Sequence, residues 1–179
     1  MSTEDQRQIQ AHDIRRGTAE YDEILNWRYS DDEAFVSRLL KNDIPQRIQY
    51  KNGSLWVYRD RNNVLVGFGS LDFCDEYAQF ANDGPHPYIP LLAVNPSMRG
   101  HGYGKQILNH LIDQAALVWA YNPQSCDRLF LDVYTTNKTA IGLYQRFGFI
   151  EINGEPIPDP DQGGETYIIM ARRISIAQR

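Results

Sequence analysis

The sequence predicts an α/β fold, a mixed sheet with helices on its faces. Three observations carry this expectation. From residue 88 onward, apolar runs of strand length alternate with stretches of helical period. Before them, strand-like runs at 55–59 and 64–73 flank the turn cluster Asp60-Arg61-Asn62-Asn63, a hairpin pattern. Finally, the run 88–94 passes directly through a glycine-rich turn into a long amphipathic stretch.

The elements follow in order. Residues 8–14 read as a short strand. Residues 19–28 read as a helix, with Tyr21, Ile24, Leu25 and Arg28 on neighbouring turns. Asp31 can cap a second helix ahead of Ala34, Phe35, Leu39 and Leu40. Within 64–73, Gly67 and Gly69 signal a bulge or a close neighbour. Residues 80–87 are rich in Asn, Asp, Gly and Pro and read as a loop. The strand 88–94 alternates little, which suits a central position covered on both faces. Between 102 and 120, Ile107, Leu108, Leu111, Ile112, Ala115, Val118 and Trp119 recur with helical period. A buried strand at 128–134 comes next, then a helix capped by Asn137 and closed by Gly148. Strands at 149–153 and 166–173, joined by a Pro/Gly-rich loop, complete the chain.

Composition narrows the functional classes. A chain of 179 residues suits one domain with a proper core. The 42% hydrophobic and 23% charged fractions are those of a soluble globular protein. No apolar run is long enough to span a bilayer, and residues 1–7 are polar, expected to be flexible and without a signal-peptide core. Cys74 and Cys126 make no disulfide framework, and the four histidines show no metal-ligand spacing. The expected location is the cytoplasm. The net charge of −5, with no clustered basic face, argues against nucleic acid as a partner.

The turn Arg99-Gly100-His101-Gly102-Tyr103-Gly104-Lys105 has the layout of a diphosphate cradle. Glycines let backbone approach an anion, and the first helical turn offers N–H groups and a positive dipole end. A dinucleotide fingerprint, G-x-G-x-x-G, begun at Gly100 would need glycine at Lys105, and one begun at Gly102 would need it at Ile107. A triphosphate loop needs Ser or Thr after Gly-Lys, and Gln106 stands there. The third candidate, Gln/Arg-x-x-Gly-x-Gly/Ala, is matched in full from Arg99 to Gly104. Downstream lies Asn137-Lys138-Thr139-Ala140-Ile141-Gly142-Leu143-Tyr144-Gln145-Arg146-Phe147-Gly148-Phe149. With these two motifs in order, the chain resembles the GNAT superfamily of acyl-CoA-dependent N-acetyltransferases, essentially along its whole length.

The resemblance implies a GNAT fold in a single domain over 1–179. That fold is a mixed, mostly antiparallel sheet of about six to seven strands, with a central, splayed parallel pair and about four flanking helices. It implies acetyl-CoA as co-substrate, no metal, and transfer of the acetyl group to a primary amine by direct attack in a ternary complex. The pyrophosphate would sit on the backbone of Arg99, Gly100, His101, Gly102, Tyr103, Gly104 and Lys105. The pantetheine arm would run along Leu92, Ala93 and Val94, with an N–H near Leu92 or Ala93 polarising the acetyl carbonyl. Asn137 would touch the cofactor, cap its helix, or do both. Tyr144 would be the general acid that protonates the departing thiolate, a phenol's ordinary pKa of about 10 lying near that of a thiol.

The general base has no single candidate. Many relatives carry a Glu in the strand before the signature, whereas Tyr88-Ile89-Pro90-Leu91 holds no carboxylate. His86, Asp72, Asp75, Glu76 and Asp132 are the substitutes, directly or through water. His101 reads as solvated. The acceptor is a small-molecule or peptide amine, with no nucleic-acid or membrane partner, and homodimerisation stays open. Two alternatives accompany the enzyme reading: a protein or peptide N-acetyltransferase, and a non-catalytic acyl-CoA-binding sensor, the latter suggested by the missing strand carboxylate.

Overall fold

The structure, a computed structural model, describes residues 8–13, 19–27, 53–74, 77–80, 85–121, 127–160 and 164–174. In chain order its elements are β1 (Gln10–Asp13), α1 (Ala19–Leu25), β2 (Gly53–Arg59), β3 (Leu65–Cys74), β4 (His86–Val94), α2 (Tyr103–Tyr121), β5 (Arg128–Tyr134), α3 (Lys138–Arg146), β6 (Ile150–Glu151), β7 (Ile157–Pro158) and β8 (Thr166–Arg173). Short 3-10 turns cover Ala78–Phe80 and Pro96–Met98. The α/β class and the parallel pair within a mixed sheet are as the sequence predicts. Three local readings differ. β4 begins at His86 rather than 88, because His86 and Pro87 are buried among strands. The expected strand at 149–153 pairs only over Ile150–Glu151, and the Pro/Gly-rich loop after it contains the extra strand β7. The helix expected from Asp31 lies outside the described residues. Among the described residues, no helix is long and apolar enough to cross a membrane.

The chain divides into two compact units, Met1–Leu71 with Leu91–Leu111, and Asp72–Pro90 with Ile112–Arg179. In the first, the strand order is β1-β2-β3-β4. β1 and β2 are antiparallel, from Gln10 opposite Arg59 to Asp13 opposite Trp56. The hairpin turn forms because Asp60 Oδ1 accepts the N–H groups of Asn62 and Val64, both at 2.9 Å, while Asn63 takes a left-handed φ of 63°. One face of β3 carries Gly67 and Gly69, and α2 lies against both: a Cβ on Gly67 would stand 2.4 Å from Ile107 Cδ1, and one on Gly69 3.0 Å from Leu111 Cδ1. The close neighbour inferred from these glycines is therefore a helix. The other face of β3 is covered from the α1 side, with the Trp27 and Phe68 rings 5.7 Å apart.

In the second unit the order is β4-β5-β8-β6, with β7 on β8. β4 and β5 run parallel, with Tyr88 opposite Phe130. β5 and β8 are antiparallel from Arg128 opposite Arg173 to Tyr134 opposite Tyr167. Phe130 faces the small Ala171 across this ladder, which leaves room for aromatic neighbours. Tyr77 stacks on the Phe130 ring at 5.2 Å and 5°, and Tyr88 and Ile169 complete the cluster.

The helix-facing glycines generate a prediction. Gly67→Ala is expected to destabilise the protein by about 1–3 kcal/mol through overpacking, because Ala93 O, at 2.7 Å from the added Cβ, is backbone and cannot swing away. Gly69→Ala meets only side-chain ends inside 3.4 Å and should cost less. Urea unfolding midpoints of the two variants check the order.

Candidate active site

The glycine-rich turn belongs to the first unit. Asn95 starts it, its Oδ1 accepting the Ser97 N–H at 3.1 Å, and its own N–H bonds to Val66 O at 2.9 Å. Gly100 and Gly102 hold left-handed φ values of 79° and 84°, and nothing stands within 4 Å of where a Cβ would project from either. The N–H groups of Gly100, His101, Gly102 and Gly104 take no backbone hydrogen bond among the described residues. Only from Lys105 onward does the helical ladder begin, with Lys105 N on Gly102 O at 3.1 Å. Arg99 and Lys105 are exposed cations at its two ends. Uncommitted donors, open space and flanking positive charge together fit a diphosphate. The Tyr103 side chain is buried, so only its backbone is available there. His101 is exposed, its Nδ1 3.1 Å from Met98 O.

The end of β4 can be read by strand alternation. Asn95 N bonds β3 at Val66 O, Ala93 O reaches toward Gly67, and Leu91 O reaches toward Gly69. With Asn95 N on Val66 O, regular strand alternation would turn odd-numbered backbone groups to β3 and those of Leu92 and Val94 to the opposite edge. On that alternation, of the two carbonyl-polarising candidates Leu92 and Ala93, it is the Leu92 N–H that would point away from β3. Pro90 shares the parity of Tyr88 and Leu92. It has no N–H to offer on the edge where Tyr88 meets β5, so the parallel ladder cannot continue through it.

The remaining candidates lie in the second unit. Asn137 caps α3, its Oδ1 accepting the Ala140 N–H at 3.1 Å. Its Nδ2 has no partner among the described residues. Tyr144 sits on the buried face of α3, 7% exposed, its ring 5.9 Å from Phe149. Gly148, at φ 80°, turns the chain so that the Phe147 and Phe149 N–H groups both return to Tyr144 O. Burial, and then the nearby Asp132 carboxylate, raise the Tyr144 hydroxyl well above the ordinary phenol range.

Asp132 is the carboxylate the structure singles out. It is exposed on the otherwise buried middle of β5, and the Tyr88 hydroxyl donates to its Oδ1 at 2.6 Å. Tyr88 is absent from the sequence-derived candidates, because only the β4–β5 register brings its hydroxyl to Asp132, 44 residues away. His86 is fully buried, its ring 5.5 Å from that of Phe130, which removes it from contact with an incoming amine. Asp72 lies half-buried on β3, while Asp75 and Glu76 lie outside the described residues. Among the described residues, no three His, Cys, Asp or Glu side chains gather to hold a metal ion.

Comparison with known proteins adds the following. The family model for the acetyltransferase (GNAT) family matches residues 19–149. The spermine/spermidine N(1)-acetyltransferase of Bacillus subtilis (strain 168) is 34% identical over 91 residues, 51% of this chain and 55% of that protein. The ribosomal protein bS18-alanine N-acetyltransferase of Escherichia coli (strain K12) is 37% identical over 87 residues, 48% of this chain and 54% of that protein. The chain thus spans only about half the length of these curated relatives. Among solved structures, the spermidine N-acetyltransferase from Vibrio cholerae in complex with CoA and spermine superposes with a TM-score of 0.65 at 18% identity, covering 93% of this chain and 96% of that one, a likeness of fold.

The Asn137 cap yields a stability prediction separable from any role in binding. Asn137→Ala is expected to lower stability by about 1 kcal/mol, whereas Asn137→Asp, which keeps the accepting oxygen, is expected to stay near the parent. Thermal melts of both variants without ligand check this.

Proposed function

This chain is a member of the acetyltransferase (GNAT) family, and on that premise we propose that it transfers an acetyl group from acetyl-CoA to a primary amine by direct attack. Acetyl-CoA supplies the thioester carbonyl that the amine attacks and the thiol that leaves. The observation that carries the reading is the turn at Gly100 and Gly102, whose left-handed backbone leaves donors and open space where a pyrophosphate needs them. The backbone of residues 99–105 binds the diphosphate. Leu92 N–H donates to the carbonyl oxygen as negative charge develops on it. The Asn137 carboxamide keeps its Nδ2 for the cofactor while its oxygen caps α3.

Asp132 is assigned as the proton acceptor for the attacking amine, directly or through one water. Its exposure makes it reachable, and Tyr88 holds it in one orientation. Tyr144 is assigned as the donor to the departing sulfur. A phenol is already protonated at working pH, so it enters the step as a proton donor, while burial, by raising its pKa, opposes the release of that proton. Part of that rise comes from the charge on Asp132. Once Asp132 takes a proton, that contribution falls away and Tyr144 releases its own proton more readily, when the thiolate needs it. A carboxylate held in this way also weighs against the non-catalytic sensor. The acceptor is read as a small amine or the N-terminus of a peptide, since the two relatives above carry names of both kinds.

Tyr144→Phe is expected to lower kcat by roughly 100-fold or more while acetyl-CoA affinity stays near the parent. The pH profile of turnover should keep its shape in that variant, because a hydroxyl with a raised pKa does not titrate in the working range. Asp132→Asn should also lower kcat, and it should remove the acidic limb that protonation of the carboxylate imposes. Steady-state kinetics with thiol-release detection, on a panel containing spermidine and an alanine-led peptide, measures both. Acetyl-CoA binding without thiol release on any amine would establish the sensor reading.

Gly102→Asp places a carboxylate in the open space at the turn and should weaken acetyl-CoA binding by about tenfold or more. Calorimetry compares the two dissociation constants, and equal values would remove the turn from the binding site.

A further inference from the structure

Asp132 is held by more than one phenol. The Tyr88 hydroxyl donates to its Oδ1 at 2.6 Å, and the hydroxyl of a second buried tyrosine, Tyr77, is hydrogen-bonded to that of Tyr88. A phenol has one proton to give. Tyr88 spends its proton on Asp132, so its oxygen accepts from Tyr77. The two hydroxyls therefore stand in series, Tyr77 to Tyr88 to Asp132, with the carboxylate at the accepting end. All three residues belong to the second unit.

Packing fixes both rings. Tyr77 lies flat on Phe130, the centroids 5.2 Å and the planes 5° apart, and its ring meets that of Tyr88 at 5.2 Å. Tyr77, Tyr88 and Phe130 belong to one buried cluster. The Tyr77 carbonyl accepts the Phe80 N–H at 2.8 Å, which ties down the backbone that carries the ring. Burial, and then the Asp132 charge, push the Tyr88 hydroxyl well above the ordinary phenol range. Tyr88 thus keeps its proton, and the series keeps its direction. Two other tyrosines stand near Asp132 among the described residues. Tyr144 feels its charge, and Tyr134, two residues along β5, donates its hydroxyl to Asp159. Opposite Asp132 on β8 stands Ile169, which is apolar.

We propose that Tyr77 is a positioning residue for acetyl transfer: by donating to the Tyr88 hydroxyl it holds the Asp132 carboxylate, through Tyr88, ionised and in the orientation that accepts the amine's proton. The role assigned to Tyr77 rests on Asp132 being the proton acceptor. A hydroxyl whose oxygen accepts a hydrogen bond is polarised and donates a stronger one. A stronger bond to the anion favours the ionised form. A tyrosine present only for packing would contribute its ring and nothing through its hydroxyl.

Tyr77→Phe keeps the ring on Phe130 and removes only the hydroxyl. Weakening a bond to the anion favours the protonated form, so the Asp132 titration should move to higher pH. Followed by NMR of its carboxyl carbon, the midpoint should rise by about half a unit in Tyr77→Phe and by about one unit or more in Tyr88→Phe. The acidic limb of the kcat profile should move the same way, with kcat lowered about threefold or more and acetyl-CoA affinity kept within about twofold. The double variant should match Tyr88→Phe alone within about twofold, because Tyr77 acts only through Tyr88. In the parent protein, a nuclear Overhauser effect should connect the Tyr77 and Tyr88 hydroxyl protons, a readout that needs no variant. An unmoved Asp132 titration in folded Tyr77→Phe, multiplied effects in the double variant, or absence of that Overhauser effect overturns the role of Tyr77 and leaves the acetyl-transfer reading intact. A titration that moves while the kcat limb stays in place overturns Asp132 as the proton acceptor, and the role of Tyr77 with it.

Discussion

The hydrogen bond from the Tyr88 hydroxyl to Asp132 is the interaction on which the proposed proton transfers of the second unit depend. It exists because β4 and β5 are parallel with Tyr88 opposite Phe130, which sets a buried phenol beside a carboxylate two residues further along the neighbouring strand. A buried phenol that donates to a charged oxygen satisfies itself and orients the carboxylate. The same carboxylate acts on Tyr144 through its charge and helps keep that hydroxyl protonated. In the proposed reaction, the register of a single strand pair therefore places the proton acceptor and influences the proton donor.

Strand alternation explains how one strand performs two tasks. β4 bonds β3 through the Asn95 N–H, and regular alternation would leave Leu92 and Val94 for the other edge. Pro90, which has no N–H, stops the ladder that Tyr88 begins with β5. Continuing that ladder with an ordinary residue would place another donor on that edge. On the β3 side, Gly67 and Gly69 let α2 lie close to the strand, and α2 is the helix whose first turn follows the glycine-rich cradle. Side-chain size at two positions of β3 is thereby linked to the placement of the cradle's helix.

Much of this was legible beforehand because it is local. The turn from Arg99 to Lys105 shows its backbone form in its spacing, since left-handed backbone and uncommitted first-turn donors are properties of a few adjacent residues. The same holds for the Asn137 cap, the Gly148 stop and the helical period of α2, each decided within one or two turns of chain. Two misreadings have their own causes. Residues 80–87 look like a loop by composition, yet His86 and Pro87 are recruited into β4 because burial between strands outweighs turn propensity. β7 is too short to show any period.

The order of elements, the left-handed glycine-rich turn and the family are legible in the sequence, because short-range pattern and backbone preference encode all three. Only the tertiary structure buries His86 and brings the Tyr88 hydroxyl to Asp132. Each of these depends on strand register between segments tens of residues apart. A shift of one residue reverses which side chains meet, and no local propensity specifies it.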